Sequence, residues 1–242
     1  MNTWVVGDIH GGLHALTQLL ARPEIGPDDR LVFLGDYVDG WSQNSDTIEY
    51  LIELQAKRTI ITLKGNHDDL CRKWLETKKT NPLWLGHGGA ATVKDYTEKA
   101  DNALEQKHLA FFNNLPTHWI DDQNRLFVHA GFTHVKGVEQ EYFSDLLFWD
   151  RSLWELALAV KFRLTPEDAD YPQRLLQYRE IYIGHTPVTR IGYTEPVRAA
   201  NVWNVDTGAA FRGPLTAFCV ETQSWIQSDP VYQFYPGEIG RN

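Results

Sequence analysis

The sequence predicts an α/β fold with a largely parallel sheet at its start. Three features carry that expectation. Apolar runs of strand length alternate with stretches of helical spacing through the first third of the chain. Those runs end abruptly in Gly, Asp, Asn or His. From Ile181 onward the pattern turns to strands.

Trp4-Val5-Val6 is the first run, and it passes into Gly7-Asp8-Ile9-His10-Gly11. Leu13, Leu16, Leu19 and Leu20 then recur at helical spacing until Pro23, Gly26 and Pro27 stop them. The second run, Arg30 to Leu34, ends in Gly35-Asp36-Tyr37-Val38-Asp39-Gly40. Ser45 is a fair helix cap, and Ile48, Leu51, Ile52 and Leu54 form one apolar face after it. Thr59 to Leu63 runs into Gly65-Asn66-His67-Asp68, and 69–79 reads as helix. Trp84 to Thr92 reads as a Gly-rich loop, 101–114 as another helix, and Leu126-Phe127-Val128 as a strand delivering His129. Residues 146–179 read as a helical insertion beside the site. Ile181-Tyr182-Ile183 leads into Gly184-His185-Thr186-Pro187, and strands follow near Val202 and Leu215. No linker of Gly, Ser or Pro divides the chain, so 1–242 reads as one domain.

The chain has 242 residues, enough for a sizeable core, and nine Trp with eleven Phe make that core aromatic. A net charge of −9 argues against binding a nucleic-acid backbone, though not against a phosphorylated substrate drawn by local cations. Two cysteines, Cys71 and Cys219, read as reduced core thiols. There is no basic n-region with a long apolar stretch, and no run of apolar residues fit to span a membrane. The expectation is a cytoplasmic protein with no membrane contact.

Apolar runs that end in a carboxylate, amide or imidazole place polar side chains at the carboxyl ends of strands, where open α/β sheets build their sites. Carboxylates, imidazoles and one amide, with no thiolate, suit Mn²⁺, Fe²⁺ or Zn²⁺. The order Gly-Asp-x-His, Gly-Asp-x-x-Asp, Gly-Asn-His-Asp, His-Ala-Gly, Gly-His-Thr-Pro resembles the calcineurin-like metallophosphatases. Within them it looks most like the PPP-type phosphoprotein phosphatases and their bacterial relatives, which include diadenosine tetraphosphatases.

The resemblance implies a four-layer αββα sandwich with two mixed β-sheets, the second built by the strand-rich end from Ile181. It implies that Asp8 and His10 hold one divalent ion, that Asp36 bridges two, and that Asn66, His129 and His185 complete the second. Mn²⁺ is the expected metal. A metal pair can clamp a phosphoryl oxygen and supply hydroxide for direct attack on phosphorus, without a phosphoenzyme. By the same resemblance His67 is the general acid and Asp39 orients it. The expected activity is a phosphoprotein phosphatase acting on phosphoserine, phosphothreonine or phosphotyrosine in a protein or peptide. The alternatives are a diadenosine tetraphosphatase-like pyrophosphohydrolase acting on a small phosphoester, and a phosphate-binding pseudophosphatase.

One departure stands out. PPP-type enzymes usually carry a phosphate-binding Arg after the second Asp of Gly-Asp-x-x-Asp, whereas this chain reads Asp39-Gly40-Trp41. Arg151, in a segment resembling Leu-Leu-Trp-x-Arg of the bacterial members, is the expected replacement, ahead of Arg72 and Arg212. His87 stands where Asn is usual and is a candidate substrate contact, and Trp41 is a candidate aromatic wall for a flat leaving group.

Overall fold

The computed structural model describes residues 1–241. The first sheet has the order β10-β9-β1-β2-β3. In it β1 (Thr3–Val6), β2 (Arg30–Phe33) and β3 (Ile60–Thr62) are parallel and joined by α1 (Leu13–Leu20) and α2 (Asn44–Lys57). The second sheet has the order β4-β5-β6-β8-β7, from β4 (His118–Ile120), β5 (Arg125–Val128), β6 (Glu180–Ile183), β7 (Val197–Ala199) and β8 (Val202–Asn204). Strands β5, β6 and β8 run parallel, and the edge strands β4 and β7 run antiparallel to them.

The end of the chain departs from expectation. β9 (Pro214–Cys219) and β10 (Ser224–Pro230) do not extend the second sheet but return to the first, where β9 pairs antiparallel with β1. The reason lies in the neighbouring strands. Both faces of β9 are buried, which suits it to the open edge of β1, a strand that is itself apolar on both faces.

Period-two alternation then sorts the core into layers. Trp4, Val6, Leu31 and Phe33 face the helices of the first sheet, whereas Val5 and Val32 face the second sheet. Between the sheets an aromatic spine runs from Trp119 through Phe127 and Tyr182 to Phe218 and Trp203, with successive ring centroids 4.5–5.9 Å apart. Contacts of this geometry add to the area each ring removes from water. Helices cover both outer faces, which completes the αββα sandwich.

The outer layer of the first sheet also holds α3 (Asn66–Thr77), α5 (Ala90–Lys99) and α6 (Asn102–Asn113). The stretch expected as a Gly-rich loop is helical instead. A turn α4 (Pro82–Trp84) passes through a π-type turn (Leu85–Gly89) into α5, kinked at Gly88 with φ +106°. Residues 146–179 contain α7 (Leu146–Trp149), α8 (Ser152–Val160) and a 3₁₀ turn, Gln173–Leu176. Leu153, Trp154, Ala157 and Val160 of α8 pack on the second sheet's outer face. No helix among the described residues is long and apolar enough to cross a membrane. Cys71 and Cys219 are both unpaired and buried.

Trp41 is not an aromatic wall. Its indole is fully buried, stacked on Tyr235 with centroids 5.3 Å apart, and donates through Nε1 to Ala209 O at 2.8 Å. The segment following β10 lies over it: Glu238 accepts from Ser42 N and Oγ, and Gly240 passes so close to the ring that a Cβ there would meet it at 2.8 Å. Trp41→Ala is therefore expected to cost about 3–5 kcal/mol, read from urea unfolding, with no change in the ratio of aryl to alkyl phosphate hydrolysis. An unchanged urea midpoint with a shifted ratio would restore the wall.

Candidate active site

Each donor sits just beyond a parallel strand or at the start of the helix that follows it. Main-chain bonds tie these tips together before any side chain is considered. Ile9 N and His10 N both donate to Asp36 O, at 3.0 and 2.9 Å, and Gly184 N donates to His129 O at 2.9 Å. The glycines of the motifs are needed at these crossings. A Cβ on Gly65 would collide with the main chain and carboxylate of Asp36, and one on Gly184 with the carboxylate of Asp8. Among the described residues, four of the nine non-glycine residues with positive φ are His10, Asp36, Asp39 and His185. Backbone held in that region concentrates at functional sites.

All six residues expected as metal ligands are buried and converge. Asp8, His10 and Asp36 offer one cluster, and Asp36, His129 and His185 a second, with ligand atoms of each within 4.8 Å of one another. Asp36 Oδ2 lies 3.6 Å from His10 Nε2 and 3.4 Å from His129 Nε2, so a single oxygen faces both clusters. Asn66 Oδ1 lies 3.1 Å from His129 Nε2 and 2.9 Å from His185 Nδ1.

The buried groups of this nest perturb one another strongly. Burial, and then the neighbouring carboxylate of Asp206, push the Asp8 carboxyl well above its usual range. Burial would also raise Asp36, but His129 and then His67 hold it well below that range. His129 rises to about 9 against its burial, drawn up chiefly by Asp36. Burial, and then His129, push His185 down, and its buried Nε2 has no hydrogen-bond partner. A buried imidazole nitrogen without a partner, in a nest where the Asp8 carboxyl is crowded by Asp206, fits divalent cations.

Beside this nest, His67 Nδ1 lies 2.6 Å from Asp39 Oδ2. Asp39 is itself buried and accepts from Trp84 Nε1 and Thr92 Oγ1. Arg151 is exposed on a cavity of about 440 Å³ whose wall also holds His87, Arg190, Phe211 and Arg241. A narrower part of the cleft brings Asn66, His67 and His185 against the same three arginines. Burial, and then Arg190 and Arg241, push the Arg151 guanidinium down. Arg72 and Arg212 are elsewhere: Arg72 pairs with Asp69 and Glu76, and Arg212 lies over the Tyr232 ring. A cavity of about 500 Å³ is lined by Gly86 and Gly88 and has none of the metal-donor side chains on its wall. The donors, not cavity size, mark the site.

Sequence reasoning missed four residues. Asp68, inside a quoted motif, accepts from Asp36 N, Tyr37 N and Gly65 N, each at 2.8 Å. Asp206, outside every motif named above, is buried and accepts from Gly208 N at 2.9 Å. Arg190 and Arg241 belong to no motif. Only Asp68 had a usable signal, its place in Gly-Asn-His-Asp.

A model of the calcineurin-like phosphoesterase family matches residues 1–209. A protein of Bacillus anthracis named bis(5'-nucleosyl)-tetraphosphatase PrpE [asymmetrical] is 28% identical over 229 residues, covering 88% of each chain. A protein of the same name from Geobacillus thermodenitrificans is 26% identical over 232 residues, covering 90% of this chain and 89% of its own. A crystal structure provisionally named diadenosine tetraphosphatase superposes with a TM-score of 0.63 at 18% identity, over 93% of this chain and 92% of that one. With the family model spanning β1 to β8 and the whole donor nest, the chain belongs to the calcineurin-like phosphoesterase family.

Proposed function

We propose that this protein is a metal-dependent hydrolase of bis(5'-nucleosyl) tetraphosphates. It cuts the phosphate chain off centre, releasing a nucleoside triphosphate and a nucleoside monophosphate. This replaces the phosphoprotein phosphatase expected from the sequence. That expectation fails against curated relatives, matched over 88% and 90% of this chain, that are named bis(5'-nucleosyl)-tetraphosphatase. The donor motifs that suggested it serve both activities equally.

The observation that carries the reading is the charge on the cleft wall. Arg151, Arg190 and Arg241 line one cavity, and among the described residues none of them has a salt-bridge partner. A guanidinium left without a carboxylate offers its planar fork to phosphate oxygens. A chain of linked phosphates presents acceptor oxygens to all three forks along the wall.

Asp8, His10, Asp36, Asn66, His129 and His185 would hold two divalent ions, for which we propose Mn²⁺, with Fe²⁺ and Zn²⁺ suiting the same donors. Such ions supply Lewis acidity and a nucleophile active at neutral pH. The protein's own part is the proton. Asp39 fixes His67 through Nδ1, which leaves Nε2 for the cleft that His67 lines. In the imidazolium form Nε2–H gives its proton to the oxygen that leaves as the phosphoanhydride P–O bond breaks. Arg151, with His87 on the same wall, binds the phosphate chain. The two unpaired thiols fit a reducing compartment, and we place the protein in the cytoplasm, acting on a small phosphoester and on neither a membrane nor a nucleic-acid backbone.

With Mn²⁺ and diadenosine tetraphosphate the protein should release ATP and AMP, resolved by anion-exchange chromatography, and leave phosphoserine and phosphotyrosine peptides intact. Orthophosphate from the peptides with the dinucleotide untouched would overturn the reading, and two ADP would move the cut to the centre. His67→Asn should keep its metal content and lose about 10²–10⁴-fold in kcat. Asp39→Asn should lose a comparable factor, because an amide cannot hold the same tautomer. The double variant should then be little worse than either single one. Multiplicative losses in a kinetic cycle would show that the pair does not act as a unit.

A further inference from the structure

We propose that Arg241 is the phosphate-binding arginine that position 40 lacks, delivered to the site from the far end of the fold. The inference rests on the reading above that a phosphate chain fills this cleft. Gly40 and Gly88 both have positive φ, at +139° and +106°. A Cβ on Gly40 would stand 3.4 Å from Arg241 Cγ, and one on Gly88 would stand 3.0 Å from the same atom. The Arg241 stem therefore runs through a slot bounded by both glycines, which the missing side chain of Gly88 keeps open. An ordinary residue at either position would be strained, and one at position 88 would also crowd that stem.

The segment before Arg241 is fastened so that the side chain arrives in place. Arg241 N donates to Ala210 O at 2.8 Å, and the Glu238 carboxylate holds Ser42. Arg241 Nε donates to His87 O at 3.1 Å, which fixes the plane of the guanidinium over Phe211. Nη1 reaches to 3.4 Å from His10 Nε2, beside the Asp8–His10–Asp36 donors. Two of its nitrogens are thus engaged, Nε by the His87 carbonyl and Nη1 by the His10 ring, and Nη2 is left for the cleft that Asn66, His67 and His185 also line. The missing Arg and the two glycines are one feature: the guanidinium has been kept, and its point of attachment has moved.

The test uses the full chain loaded with Mn²⁺ and inorganic phosphate as the probe, followed by titration calorimetry. Arg241→Ala should weaken phosphate roughly tenfold to hundredfold with metal content unchanged. Added guanidinium ion should restore part of that affinity. Arg241→Lys should fall between, because an ammonium keeps the charge but not the fork. Phosphate affinity of Arg241→Ala within about twofold of the wild type would overturn the proposal. A loss that comes with a lowered Tm and does not respond to guanidinium would also overturn it, reducing Arg241 to an anchor for its segment. The substrate reading fails separately: intact dinucleotide beside an Arg241-dependent phosphate affinity removes the proposed activity and leaves Arg241 standing. Dinucleotide cleavage with Arg241-independent phosphate affinity does the reverse.

Discussion

Three main-chain N–H groups, from Asp36, Tyr37 and Gly65, end on the buried carboxylate of Asp68, each at 2.8 Å. The rest of the site depends on that convergence. It binds the tip of β2 to the tip of β3 and holds Asp36 at φ +55°. In that pose Asp36 Oδ1 accepts from His67 N at 2.9 Å, and Oδ2 is turned toward both His10 and His129. The oxygen that faces two clusters is thus aimed by a side chain that touches neither. Burial, and then Asp36 itself, raise the Asp68 carboxyl to about 7, while the N–H donors from Tyr37 and Gly65 pull the other way.

Holding several non-glycine residues at positive φ costs of order 1–3 kcal/mol each. Such a site persists only on a scaffold that over-determines it. Here the scaffold is the pair of sheets locked by the aromatic spine from Trp119 to Trp203. Both sheets end their parallel strands toward the same nest: β1, β2 and β3 bring Asp8, Asp36 and Asn66, while β5 and β6 bring His129 and His185. The spine therefore fixes the separation between the two halves of the donor set. Function and core are coupled through the register of the strands.

The donors were legible in the sequence because their signal is local. A strand of apolar residues followed by Gly and a ligand shows both where the strand stops and what it delivers. What could not be read was non-local. The return of β9 to the open edge of β1 is a pairing between Trp4 and Cys219, more than two hundred positions apart, and periodicity carries no information on that choice. The stretch Leu85–Gly89 looked like a loop because three of its five residues are glycine, yet its neighbours α4 and α5 impose a helical path with one kink at Gly88. Trp41 looked available because it follows two active-site motifs, and only the later segment around Tyr235 and Gly240 reveals that it is covered.

The same distinction explains why the donor set did not identify the substrate. Ligands for two cations are fixed by the chemistry of phosphoryl transfer, and that chemistry does not differ between a phosphomonoester and a phosphoanhydride. Discrimination has to come from groups that meet the rest of the substrate. In this chain those groups come from separate places: Arg151 just past α7, Arg190 after β6, and Arg241 beyond β10. None is sequence-adjacent to a donor, so each can change without disturbing the metal nest. On the readings proposed above, a fold arranged in this way keeps one reaction and exchanges its wall, and the arginine missing beside a donor motif is a relocated contact rather than a lost activity.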